Sequence, residues 1–142
     1  MFIKQISVFV ENKSGRLADV TRNLGDNGID LIAISISDTT DFGIFRLIVD
    51  LPEKAEEVLL KNGFTVSSTD VIAVSVKDEP GSLARALTVL ADEMIDIEYM
   101  YAVGKNTKGA VVILKVNDIE KAVKVLEEKG IDVLPAEKVY SL

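Results

Sequence analysis

From the third residue onward, apolar and polar positions trade places. Ile6, Val8 and Val10 fall on one side of the chain and Ser7 and Phe9 on the other, which is the period of a strand. Beyond a polar stretch containing Gly15, the spacing lengthens. Leu17, Val20 and Leu24 recur at helical intervals and predict an amphipathic helix. Two β-rich segments follow, "IDLIAISIS" and "IFRLIVD", joined by a polar, glycine-containing stretch, the pattern of a hairpin. Ala55, Val58 and Leu59 then mark a second helix, with Pro52 at its start and Gly63 just past its end. A short strand near "FTVSST" closes the series, so the first half reads β-α-β-β-α-β.

The same series then repeats. Setting Gly15 on Gly81 gives an offset of 81 − 15 = 66. That offset also pairs Ile6 with Ile72, Val8 with Val74, Val10 with Val76, Leu17 with Leu83, Ala18 with Ala84, Leu24 with Leu90, Ile29 with Ile95 and Asp30 with Asp96. One extra residue in the second half moves it to 130 − 63 = 67, which pairs Ala55 with Ala122 and Val66 with Val133. Self-similarity of this length marks a tandem duplication. The second copy carries Leu83, Leu87, Leu90 and Met94 on its first helix, the strand pair "IDIEYMYAV" and "AVVILKV", Ile119, Ala122, Val123 and Leu126 on its second helix, and a short closing strand near "IDVLPAEKVY". The predicted fold class is α+β: two ferredoxin-like βαββαβ sandwiches in tandem, each an antiparallel sheet with its helices on one face. The boundary falls between 1–69 and 70–142, with no Gly/Ser/Pro-rich linker between them. A chain of about 70 residues buries only about 60% of its surface, so the copies are expected to pack together.

Local signals sharpen the element ends. Ser14 is the expected N-cap of the first helix, and Pro80 sits where a helix start tolerates proline. Gly28 suits a left-handed helix end, and Met94 at the matching place requires a different ending. Asn117 is the expected cap of the last long helix, with Gly130 past its end.

Composition narrows the chemistry. At 48% apolar in 142 residues, there is enough material for a real core. The chain has no Cys and no His, which removes disulfides, thiolate metal sites, the thiol nucleophile and the commonest general base. No catalytic, metal or cofactor site is therefore expected. The net charge of −7 opposes nucleic-acid or anionic-membrane binding, both of which draw on a basic field. No apolar run is long enough to span a bilayer, and the start Met-Phe-Ile-Lys-Gln lacks the features of a secretory signal, so the expected location is cytoplasmic.

The repeated elbow, "NKSGRLADV" and "DEPGSLARA", together with the "GID" or "MID" leading into the second strand and the twice-repeated element order, resembles the ACT domain over the whole chain. The resemblance implies a small-molecule sensor, a free-standing amino-acid-binding ACT repeat whose ligand lies at an interface between copies. One copy's elbow would face the start of the other's second strand. The implied ligand-binding positions are Asn12, Lys13, Ser14, Gly15, Arg16 and Leu17 with Asp30 and Leu31, and Asp78, Glu79, Pro80, Gly81, Ser82 and Leu83 with Asp96 and Ile97. The physics of such an elbow is independent of the family. A loop opening a helix presents unpaired N–H groups and the positive end of the helix dipole, which suits a carboxylate. Leu17 and Leu83 are expected to face the core. Aspartate stands at 30 and 96, where the family often has asparagine. When ionised it accepts only, so it would take an α-ammonium group. The elbows differ in charge: Lys13 and Arg16 make the first basic, whereas Asp78, Glu79 and Ser82 make the second acidic. The partners implied are a free amino acid, a second copy of the chain as homodimer, and a metabolic enzyme for which the protein serves as regulatory subunit.

Overall fold

The computed structural model describes residues 2–11, 13–38, 41–106 and 109–142. In chain order the elements are β1 (Ile3–Glu11), α1 (Arg16–Asp26), β2 (Leu31–Asp38), β3 (Phe42–Val49), α2 (Pro52–Lys61), β4 (Thr65–Val76), α3 (Ser82–Asp92), β5 (Ile97–Asn106), β6 (Gly109–Val116), α4 (Ile119–Glu128), β7 (Asp132–Val133) and α5 (Ala136–Tyr140). Two bodies divide the chain: Lys4–Thr69 with Tyr140–Leu142, and Asp70–Val139 with Met1–Ile3. Strand β4 runs through the division at 69/70 without a break.

In the first body the strand order is β2-β3-β1-β4. Strand β1 lies antiparallel to β3, with Val8 opposite Phe45 and Val10 opposite Gly43, and β3 lies antiparallel to β2. Ile6, Val8 and Val10 join Phe45, Leu47 and Val49 over Val20 and Leu24 of α1 and Ala55 and Leu59 of α2, forming one buried core. The second body repeats the order as β5-β6-β4-β7. Its core gathers Ile72, Val74, Val112 and Leu114 under Ala86, Leu90, Ala122 and Leu126. This is the α+β ferredoxin-like sandwich, twice, that the alternation of spacings predicts.

Helix ends show what the residues must satisfy locally. After α1, Gly28 is left-handed at φ 71, and Ile29 N–H donates to Leu24 O at 3.0 Å. Gly63 and Gly130 act likewise after α2 and α4, with Phe64 and Ile131 donating back to Leu59 and Leu126. These 6→1 bonds are Schellman turns, in which the residue after the left-handed one anchors in the core. Ile29, Phe64, Ile95 and Ile131 are all buried. Met94 corrects the expectation of a different ending for α3. It takes the same left-handed conformation, φ 56, and Ile95 N–H donates to Leu90 O at 2.9 Å. Burial of Ile95 decides the turn, and Met94, 86% exposed, adopts what the turn demands.

Three other local expectations are corrected. The N-cap of α1 is Gly15, not Ser14, and that of α3 is Gly81, which leaves Pro80 in the preceding turn rather than the helix. Asp118 rather than Asn117 caps α4, its carboxylate accepting from Lys121 N–H at 3.2 Å. The short closing strand expected near "IDVLPAEKVY" is β7, two residues long, with α5 after it. Pro135 has no N–H for a ladder, and its carbonyl accepts from Lys138 N–H, opening a helical turn.

Candidate functional site

Both elbows have the same backbone. Gly15 lies at φ 87, ψ −11 and Gly81 at φ 88, ψ −9. The turn bonds correspond as well: Arg16 N–H to Lys13 O and Asp19 N–H to Gly15 O, against Ser82 N–H to Glu79 O and Arg85 N–H to Gly81 O. Nothing lies within 4 Å of where a Cβ would stand on either glycine, so the left-handed angle, not crowding, calls for glycine.

Beside each elbow lies a cavity within its own body. The first, about 370 Å³, is bounded by the end of β1, Arg16 and the Schellman turn Gly63-Phe64-Thr65. The second, about 490 Å³, is bounded by the end of β4, the elbow residues 79–82, Arg85 and the turn Gly130-Ile131-Asp132. The two are one location in the fold seen twice, because Gly63 matches Gly130 and the elbows match each other.

Arginine occurs in both cavities at unmatched positions. Arg16 corresponds to Ser82, and Asp19 corresponds to Arg85, so the guanidinium has moved three residues along the same helix face. Arg16 lies 5.0 Å over the ring of Phe64 and 3.7 Å from the Asp19 carboxylate. Its Nε is buried without a hydrogen-bond partner. Arg85 donates through Nη2 to Lys129 O at 3.1 Å. The cavity linings draw in charges from outside the elbows. Lys77 and Arg85 accompany Glu79 and Asp132 in the second, while Arg16 accompanies Glu11 in the first, so each carries both signs. Lys13 is engaged with Glu11 at 2.9 Å, and its hydrogen bond and charge, with a smaller contribution from Arg16, hold the Glu11 carboxyl below the usual range.

The other sequence-predicted positions are distributed as follows. Arg16, Glu79, Pro80, Gly81 and Ser82 line the cavities, whereas Lys13, Ser14, Gly15, Leu17, Asp78 and Leu83 belong to the elbows outside the lining. Asn12 lies outside the described residues. Leu17 is 38% exposed and does not join the core, and Leu83 is half-buried against it. On α1 the core takes Val20 and Leu24 and leaves out Leu17, a distinction that helical spacing alone does not make. Asp30, Leu31, Asp96 and Ile97 do not line the cavity of their own body. Asp30 is clamped by its backbone: its N–H donates to Asp50 Oδ1 at 2.9 Å and its carbonyl accepts from Asp50 N–H. Asp96 is held identically by Asn117. Sequence reasoning missed the Schellman-turn residues Phe64 and Ile131, and it missed Arg85. The signal for Arg85 lay in comparing positions i and i+3 across the repeat rather than position with position.

Among the described residues, no helix is long and apolar enough to cross a membrane. The model of the ACT domain pair matches residues 1–142. A crystallised protein of Bacteroides thetaiotaomicron is similar at 44% identity and a TM-score of 0.96, covering 100% of this chain and 98% of that one. The ligand-free regulatory subunit of aspartate kinase from Thermus thermophilus shares the fold at 18% identity, with a TM-score of 0.64 over 88% of this chain and 91% of that one. The corresponding subunit from Thermus flavus has a TM-score of 0.61 at 18% identity, over 88% and 90% of the two chains. Among curated proteins, none matches. With two equivalent elbows on two βαββαβ bodies and a family match over its whole length, the chain belongs to the ACT domain pair family.

Proposed function

We propose that this protein is a non-enzymatic regulator that binds a free amino acid at its glycine elbows, with 1–69 and 70–142 as its two functional units. One observation carries the reading: the cavity beside the elbow recurs in both bodies, and each has an arginine although the arginine's sequence position is not kept. An arginine beside a helix start suits a carboxylate, by charge and by bidentate geometry. The ammonium group is taken by the aspartate that opens the second strand of a copy in a second protomer, Asp96 for the first elbow and Asp30 for the second. Binding is passed on as a coupling free energy of about 1–3 kcal/mol to a second protomer of a homodimer.

Calorimetric titration of the twenty amino acids into the wild-type chain and an Asp96→Ala variant tests this. At least one amino acid is expected to bind, and to bind at least about tenfold more weakly to the variant, since a charged hydrogen bond is worth about 1.5–3 kcal/mol. Failure of all twenty to bind overturns the reading, and unchanged affinity in the variant removes the aspartate from the site.

A second reading is a regulatory subunit that activates or feedback-inhibits an amino-acid biosynthetic enzyme. Its support is the fold shared with aspartate kinase regulatory subunits over most of both chains. Stoichiometric recovery of a catalytic subunit with the tagged chain from its native host would favour it.

A further inference from the structure

The two cavities differ most in their apolar lining. Three phenylalanines border the first: Phe9 near the end of β1, Phe42 at the start of β3 and Phe64 in the turn after α2. Phe42 lies opposite Glu11, so Phe9 and Phe42 share a face of the sheet as diagonal neighbours, within reach of each other. They are 40% and 54% exposed. Leaving such rings partly in water forgoes part of the stabilisation that full burial would contribute, an arrangement that a bound apolar group would reverse. Above Phe64 stands Arg16, with its buried, unpartnered Nε and an ion-pair distance to Asp19 too long for a hydrogen bond. A buried donor left unmade is destabilising, and a carboxylate meeting Nε and one Nη edge-on would satisfy it. The volume, about 370 Å³, lies at the small end of ligand pockets. In the second body the matching residues are Ser75 for Phe9, Ile131 for Phe64, Ser82 for Arg16 and Asp132 for Thr65. No aromatic side chain lines that cavity among the described residues.

We infer that the first body's cavity selects an amino acid with an aromatic side chain, its carboxylate on Arg16 and its ring among Phe9, Phe42 and Phe64, and that the second cavity does not. This rests on the amino-acid-binding reading and specifies the ligand class for one of its two sites.

The test is calorimetry on the full chain with phenylalanine, tyrosine and tryptophan against alanine, serine, lysine and aspartate. The same titrations are run on Phe9→Ala, Phe9→Leu and Arg16→Gln, each first shown to be folded by its circular dichroism. The aromatic amino acids are expected to bind at least about tenfold more tightly than alanine or serine, a difference of about 1.4 kcal/mol. Phe9→Ala is expected to abolish that preference and Phe9→Leu to restore part of it. Arg16→Gln is expected to weaken 3-phenylpropionate, which keeps the carboxylate, and to leave phenethylamine, which lacks it, unchanged. Tighter binding of a small polar amino acid than of any aromatic one, or an aromatic preference surviving in Phe9→Ala, overturns this inference and leaves the amino-acid-binding reading standing. Absence of binding by every amino acid overturns both.

Discussion

Met94 and Gly28 hold the same place in the two copies and the same left-handed backbone, but only glycine holds it without steric cost. Met94→Gly is therefore expected to stabilise the fold by about 1 kcal/mol, and Gly28→Met to destabilise it by a similar amount, both measurable by urea unfolding. Gly15→Ala and Gly81→Ala are each expected to cost about 1 kcal/mol. Open space around both Cβ positions makes that cost conformational alone. The two elbow glycines were legible in the sequence because a repeat sets them side by side. The strain at Met94 was not, since its cause is the burial of Ile95, a property of the core rather than of the turn.

Links between elements account for the remaining departures from pattern. Asp50 and Asn117 each tie the end of a third strand to the start of a second, which is why Asn117 is unavailable as the cap of α4. In the first body Ser68 Oγ of β4 donates to Glu56 Oε2 of α2 at 2.6 Å, with Lys4 of β1 3.5 Å from the same carboxylate. The Ser68 hydrogen bond first, and then Lys4, hold the Glu56 carboxyl below its ordinary range. A depressed carboxyl contributes stability that is present above the ordinary glutamate value, about 4.3, and is lost as pH falls through the lower folded value. Ser68→Ala is therefore expected to be less stable by about 0.5 kcal/mol at pH 7, at the low end for a hydrogen bond because the pair is solvent-accessible. The difference should close in acid, as followed by unfolding at pH 7, 4 and 3. Strand and helix periods predicted these elements. Their lateral partners lie 12 to 52 residues apart in the chain, beyond the reach of any local pattern.

Each body has the βαββαβ order of sheets that bind single-stranded RNA, yet charge and burial both oppose that use. Such sheets stack bases on aromatic residues of their central strands. On β1 the residues pointing away from the helices include Gln5 and Ser7, which are buried, beside one exposed aromatic, Phe9, and the net charge is −7. No retardation of single-stranded RNA is expected in a gel-shift assay at about 0.15 M salt, and micromolar binding there would contradict the electrostatic argument.

By itself the sequence determined the duplication, the order β-α-β-β-α-β in each copy and the two glycine elbows. Each is written in spacing: a period of two, a period of 3.6, or a fixed offset. Only the tertiary structure decided that the turn after each copy's second helix lies beside that copy's elbow, that Phe64 meets Arg16 there, and that Arg85 takes over in the second copy from a residue three positions away. Those neighbours are brought together by a sheet that sets β1 beside β4 in one body and β4 beside β7 in the other. Packing of distant segments leaves no period in the chain. The elbow marks where a site begins, and its chemistry comes from what the fold lays against it.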